Sequence, residues 1–469
     1  MKLLVAKMSN QSQFNFSGCL SDRRLDLRCE KIAQSMYDHS SAVIQRFSRH
    51  RSKVVGSCRF FNNNRVCTGD LIKGITQRLK PLVKGKTVLC IEDTTEFNYT
   101  TKQGRIKTGS LGRLCRSNQI GFFAHPTLIV DAHNYLPLGL GSLQLWRRAE
   151  TDRTETKPDY STQKLELKES YRWIRGIEQS KDALSQARHK IIIADREADI
   201  YPLYTRLWDE STDLLIRMRS DRHLRMGGTI RGHLVNQRVK DKITIQLKAD
   251  TRDCRSAHKA ILQIKYTTVE IQRPHHVTSS GTQKYFTIQV VEVKESPRTV
   301  KKGERPIHWL LLTTLPVRSN TEARQVINYY SKRWMIEELF GIIKTRGLNL
   351  EDSQLSHGEA IMKLAVLAMD VSVKILQLTK GRENEELDAK MVFSYNEICL
   401  LEQLLKRYEG ATEKQRNPYR KHSMAWAAWV IGRMGGWMGY KSESPPGNKT
   451  MKIGVERFVN TYIGFSLLD

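Results

Sequence analysis

Two short and almost wholly apolar runs, each ending on a carboxylate, constrain the fold more than any other feature of the sequence. Thr87-Val88-Leu89-Cys90-Ile91 leads into Glu92-Asp93-Thr94-Thr95, and Lys190-Ile191-Ile192-Ile193-Ala194 leads into Asp195. Runs this short and this apolar read as strands buried on both faces, as in a parallel sheet covered by helices. If the two strands are neighbours, both aspartates emerge at one edge, where open α/β sheets place their ligand crevice. Taken singly, a strand-ending Asp is more often a turn former or a helix cap. Glu92, Glu197 and Asp199 stand close by as competing carboxylates, their plainer role being that of solvated or capping groups.

The other segments build around these strands. Residues 20 to 80 read as helical, with apolar spacing at Leu25, Ile32 and Met36 and again at Leu71, Ile75 and Leu79. Phe122 to Asp131 and Tyr135 to Trp146 flank Ala132-His133-Asn134, a hairpin signal. A polar loop is expected at 150–162, helices at 163–187 and 199–210, and a strand from Asp213 to Met218. From about 220 to 305 short β-rich runs (Ile243 to Leu247, Ile261 to Ile271, Tyr285 to Val293) read as an inserted sheet. Trp309 to Thr314 returns to a buried strand, a long helix is expected over 321–346, and further helices at 357–379, 394–408 and 422–434. Ala360 to Leu378, interrupted by Lys363, Asp370 and Lys374, reads as an amphipathic helix. The whole is an α/β core carrying a β insertion.

The charge balance narrows the partner. The 469 residues hold 77 Lys and Arg against 49 Asp and Glu, a net +28. A surplus that large points to a polyanion, and nucleic acid leads because each phosphate contact releases a condensed counterion. The first 86 residues alone carry 17 basic and 5 acidic residues. There Arg46, Arg49, Arg51, Lys53, Arg59 and Arg65 are interleaved with Phe47, Phe60 and Phe61, a pattern suited to a helical module facing phosphates or to a solvated helical cap. No stretch of about 18 apolar residues occurs, so no spanning helix is expected. The start, Met1 to Leu4 and then Lys7, reads as too short and too soon polar for a signal peptide. Eight cysteines without a C-x-x-C pair argue against a zinc site or disulfide framework and fit a reducing cytosol. No G-x-x-x-x-G-K-[ST] loop is present, so no nucleotide cofactor is expected.

One helix face is unusually polar. Tyr330, Glu337 and Lys344 recur every seven residues, with Arg333 three after Tyr330. At about 100° per residue the four fall within an arc of roughly 60°. The Arg333–Glu337 spacing is that of an ordinary intrahelical ion pair. Lys344, two turns beyond Glu337, is too far for that pair, and the set also suits a carboxylate metal ligand flanked by cations for phosphate.

Three segments together carry a resemblance. Ile91-Glu92-Asp93-Thr94-Thr95, Ala194-Asp195-Arg196-Glu197-Ala198-Asp199-Ile200 and Tyr330-x2-Arg333-x3-Glu337-x6-Lys344 resemble the bacterial insertion-sequence transposases of the DDE class. The nearest group is the insertion-sequence-four superfamily, which includes the transposon-five transposase; the last segment matches its Y-R-E-K signature. The likeness runs from about residue 20 to 440 and takes in Ile307 to Thr313, Trp426 and Gly432 to Met438.

This resemblance implies a ribonuclease H-like core with a β-rich insertion, flanked by N-terminal and C-terminal helical domains. The implied division is a DNA-binding domain at 1–80, core at 81–220, insertion at 221–306, core with the Glu-bearing helix at 307–380, and a dimerisation domain at 381–469. Asp93, Asp195 and Glu337 would hold two Mg²⁺ ions, with Mn²⁺ as a substitute. Tyr330, Arg333 and Lys344 would grip phosphates. Trp309, 21 residues before Tyr330, falls where the family stacks a flipped base, although a core Trp at a strand start is the plainer role. Arg217 and Arg219 match basic residues on the strand into the insertion; at Arg219 the nearest relative has Lys. The implied activity is cut-and-paste transposition through a hairpin intermediate, by a homodimer on double-stranded transposon ends and target DNA, in the bacterial cytoplasm at the nucleoid. Rival readings are an inactive transposase-derived DNA-binding protein and a ribonuclease H-like nuclease without strand transfer.

Overall fold

The computed structural model describes residues 14–465 apart from 49, 117, 149–162, 207–208, 248, 250–254, 276, 278–281, 346, 383 and 441–442. The loop expected at 150–162 and Arg49 of the basic cluster therefore lie outside the described residues. Both apolar runs form strands: β1 (Thr87–Glu92) and, after a hairpin of β4 (Ile120–Asp131) and β5 (Pro137–Trp146), β6 (His189–Ala194). Two short pieces, β2 (Thr95–Asn98) and β3 (Gly112–Arg113), precede the hairpin, and β7 (Thr212–Arg217) follows β6. β1 pairs parallel with β6, and β6 parallel with β7. On the other side β4 runs antiparallel to both β1 and β5. The core order is thus β5-β4-β1-β6-β7, with β2 continuing along β4 beyond the end of β1.

The β-rich block is not a separate sheet. Strands β8 (Asp241–Leu247), β9 (His258–Gln272) and β10 (Tyr285–Glu295) pair antiparallel in succession, and β10 pairs with β11 (His308–Thr313), which pairs with β7. Core and insertion make one eleven-stranded mixed sheet.

Side-chain alternation splits the core into two layers. Val88, Cys90, Ile192, Ala194, Leu214 and Ile216 face α5 (Arg172–Ser180), which buries Trp173, Ile174 and Ile177 against them. Leu89, Ile91, Ile191, Ile193 and Leu215 face the other way, toward α8 (Asn320–Ser331), α9 (Trp334–Ile343) and α10 (Gly358–Gly381). The chain also forms α1 (Arg23–Asp38), α2 (Ile44–Phe47), α3 (Arg51–Phe61), α4 (Thr68–Gln77), α6 (Tyr201–Thr205), α7 (Ile230–Val235), α11 (Tyr395–Tyr408), α12 (Met424–Met434) and α13 (Asn448–Phe465). No helix of the described residues is long and apolar enough to cross a membrane.

Four expected helices differ, the one over 199–210 being cut to the five residues of α6 among the described residues. The long helix over 321–346 is two, α8 and α9, joined by a tightened turn in which Arg333 N–H bonds Tyr330 O and Ile336 N–H bonds Arg333 O. Neither Gly nor Pro marks this turn; α8 leans on β10 while α9 packs along α10, so tertiary packing sets it. α10 is not amphipathic but buried on nearly every side, because helices from both ends of the chain surround it. Its charges are met there: Arg78 pairs with Asp370 at 2.5 Å, and Lys363 donates to Asn63 O at 2.9 Å. The helix expected over 163–187 is reduced to the nine residues of α5, where the Ser180 hydroxyl bonds back to Gly176 O in the last turn.

Around the N-terminus, α1 and α3 leave Arg24, Arg28, Lys31, Arg51, Lys53 and Arg59 exposed. Gly56 allows α3 to lie against Arg28, whose guanidinium a Cβ would meet at 2.8 Å. The interleaved phenylalanines do not share that face: Phe47, Phe60 and Phe61 are buried in the core.

Candidate active site

Register decides where the site lies. Ile91 is level with Ile193 across the parallel β1–β6 pair, so Asp93 and Asp195, two residues on, leave the sheet side by side. Ala194 is level with Ile216, which brings Arg217 into the same row on β7. β11 runs back antiparallel, with Leu311 opposite Arg217, so His308 and Trp309 stand at the same edge. A short apolar strand followed by a polar residue is repeated three times, and adjacency turns the three chain ends into one rim.

Each aspartate is fixed by its own turn. Asp93 Oδ1 accepts the Thr94 N–H at 2.8 Å. Asp195 Oδ1 accepts the Glu197 N–H at 2.8 Å, capping a single 3₁₀ turn. The third carboxylate arrives from the opposite layer. Arg333, at the tightened turn, donates Nη1–H to Asp93 Oδ2 at 2.9 Å and Nη2–H to Glu337 Oε1 at 2.5 Å. One guanidinium thus holds the strand-borne and helix-borne carboxylates together.

The electrostatics agree with that crowding. Burial first, then Asp195 and Glu337, push the Asp93 carboxyl up to about 7 against the pull of Arg333 and the Thr94 amide. Arg333 is held above its ordinary value because Tyr330, Asp93 and Glu337 together outweigh its burial. Crowded oxygen donors of this kind suit Mg²⁺ or Mn²⁺, hard ions that relieve carboxylate repulsion. The donor chemistry therefore fits. Among the described residues, however, no group of three His, Cys, Asp or Glu stands ready-made to hold an ion; between Asp93 and Glu337 the positive charge is supplied by Arg333.

Beside Glu337 opens a cavity of about 1000 Å³. Arg217, Arg219, Trp309, Tyr330 and Arg333 all line it. The Tyr330 hydroxyl and the Arg217 guanidinium are electrostatic neighbours, and Arg217 Nη2–H donates to His308 O at 3.1 Å. Burial pushes the Tyr330 hydroxyl up and the Arg217 guanidinium down. Trp309 packs edge-to-face on Tyr330 with ring centroids 5.3 Å apart, half-buried, with its remaining surface in the cavity. Lys344 does not join this group. It caps the end of α9, its ammonium 5.5 Å from the Phe97 ring on β2, and burial pulls its pKa down against Glu351 and Glu96.

Sequence reasoning missed several groups here. Arg196, Arg231, Arg255 and Arg305 add to the cavity wall, three of them from the β insertion and its flanks. Arg196 stood in the matching segment after Asp195 without being given a role; for the other three the only signal was the overall surplus of arginine. Asp199, read as solvated or capping, is instead buried beneath the rim. Its carboxylate pairs with Arg222, accepts the Tyr204 hydroxyl at 3.0 Å, and accepts the Arg219 N–H at 2.7 Å.

Residues 173–369 match the transposase DDE domain family. That span contains Asp195, Arg217, Arg219, Trp309, Tyr330, Arg333, Glu337 and Lys344, while Asp93 precedes it. Among solved structures, the chain is similar to the piggyBac transposase in a cryo-EM synaptic complex with hairpin DNA, at 9% identity and a TM-score of 0.32. The similarity covers 80% of this chain and 57% of that one.

Proposed function

We propose that this chain, which carries a transposase DDE domain in residues 173–369, is a cut-and-paste DNA transposase. It cleaves transposon ends and joins the freed 3′-OH ends to target DNA. The observation that carries the reading is the meeting of Asp93 and Asp195, level on adjacent parallel strands, with Glu337 held to Asp93 through Arg333. The strand order β5-β4-β1-β6-β7 supports a ribonuclease H-like core. On this reading the chain is a bacterial enzyme of the insertion-sequence-four group, working as a homodimer at the nucleoid, with the basic face of α1 and α3 on duplex DNA.

Asp93, Asp195 and Glu337 would hold Mg²⁺, two ions per site, whose chemistry is to lower the pKa of an attacking hydroxyl and to neutralise charge at phosphorus. The side chains do the rest. Arg217 and Arg333 face the cavity beside Glu337 and offer planar guanidinium forks to phosphate oxygens. Tyr330, beside Arg217 in the same cavity wall, would steer that guanidinium toward the phosphate. Every step is an in-line displacement in which one P–O bond forms as another breaks. Water frees the 3′-OH at the transposon end, that 3′-OH attacks the opposite strand to close a hairpin, water reopens it, and the 3′-OH attacks the target. Trp309 offers a face on which a base turned out of the hairpin can stack, worth about 1–3 kcal/mol. Lys344 reaches phosphate only if the end of α9 shifts from Phe97.

The test is nicking of a duplex bearing the terminal repeat. Asp93→Asn, Asp195→Asn and Glu337→Gln should each abolish Mg²⁺-dependent cleavage while duplex binding persists. Retained cleavage in any of the three overturns the triad. Strand transfer into supercoiled plasmid separates a transposase from a nuclease of the same fold.

A further inference from the structure

We propose that Arg172 is a positioning residue that ties the two aspartate-bearing turns together at fixed separation. It rests on the functional reading above and adds a residue that the three matching motifs do not contain.

The geometry is a cross-link. Arg172 opens α5, beneath the rim, with only 14% of its side chain exposed, so it is not presented to DNA. Its Nε–H donates to Thr94 Oγ1 at 2.9 Å, and its Nη2–H to Glu197 Oε2 at 2.5 Å. The third nitrogen, Nη1, donates to Glu169 O at 3.0 Å and anchors the group to its own helix start. Thr94 and Glu197 are the two residues whose backbone N–H groups hold the Asp93 and Asp195 carboxylates. The path Asp93–Thr94–Arg172–Glu197–Asp195 is therefore continuous, and a single planar guanidinium spans it.

The Thr94 arm is locked in turn. Its hydroxyl oxygen accepts from Arg172 and is also hydrogen-bonded with His125 Nδ1, 2.9 Å away. His125 is fully buried and wedged edge-on against Trp173, ring centroids 4.7 Å apart. Thr94 thus has no freedom to turn away, and a displacement at α5 passes to both aspartates. Lys could not replace the guanidinium, because a point charge lacks two donors in fixed planar relation.

The experiment uses the full chain and Mn²⁺ alone. Free Mn²⁺ is followed by EPR in a titration of protein without DNA, and the Mn²⁺ dependence of plasmid nicking is measured beside it. Arg172→Ala should weaken Mn²⁺ binding about ten- to a hundredfold, the usual effect of removing a group that orients ligands, and raise the Mn²⁺ needed for half-maximal nicking equally. Arg172→Lys should recover little. Thr94→Val and Glu197→Ala each remove one arm with the guanidinium in place, and each should lose affinity, the pair no further than Arg172→Ala; they stand in should that variant not fold. If Arg172→Ala, Thr94→Val and Glu197→Ala bind Mn²⁺ like wild type while Asp93→Asn does not, the positioning role is overturned alone. If wild type binds no better than Asp93→Asn, the catalytic reading falls and takes this role with it.

Discussion

Asp93→Asn should make the metal-free protein more stable at alkaline pH, although it removes an ion pair. Moving a carboxyl from 3.8 to about 7 makes its ionised form costlier in the folded state by about 4 kcal/mol, at about 1.4 kcal/mol per pH unit. The sign follows from linkage. Between the two values the folded chain binds more protons than the unfolded one, so stability falls as pH rises from about 4 to about 7 and stays low above. The amide escapes that cost but loses one acceptor toward Arg333, about 1 kcal/mol. The net gain is about 3 kcal/mol at pH 8 and less than about 1 kcal/mol at pH 5, where the folded carboxyl is already protonated. Thermal unfolding by circular dichroism at both pH values, in chelator, reads the difference; a gain of several degrees is expected at pH 8. Divalent cation should restore wild type and not the variant. An Asn variant that melts no higher than wild type at pH 8, or gains equally at pH 5, would show that Asp93 is not a carboxyl driven up by its burial beside other carboxylates.

Two further outcomes follow from the geometry. Trp309→Ala should leave the first nick intact and lower hairpin yield, seen on a denaturing gel; equal loss of both products would return Trp309 to a purely core role. Gly176→Ala should destabilise by about 1–3 kcal/mol in urea titration, because its Cβ would stand 2.4 Å from Glu92 Oε1 and 3.2 Å from Thr127 Oγ1 in a buried site; an unchanged midpoint would mean that α5 can lift from the sheet at no cost.

What could be read in the sequence divides along physical lines. The strands β1, β6 and β11 were legible because burial on both faces leaves nearly uninterrupted apolar runs, β4 and β5 because the Ala132-His133-Asn134 turn divides them, and the level placement of Asp93 and Asp195 needed only the premise that their strands are neighbours. The tightened turn at Arg333 was not legible, since it has no Gly or Pro and arises from α8 and α9 packing on different partners. α10 misled for a related reason. Lys363, Asp370 and Lys374 look like a solvent stripe, yet Lys363 and Asp370 are answered by Asn63 and Arg78 some 300 residues away in sequence. Arg172 is the sharpest case. Nothing within the run Glu169 to Ile174 distinguishes it from other surface arginines. Its position matters only because α5 lies across the ends of β1 and β6, where Thr94 and Glu197 present one oxygen each to a single planar group. A motif records residues that meet the reacting atoms. The parts that hold such residues apart by a set distance are written in topology, and topology is where a linear reading of this chain ends.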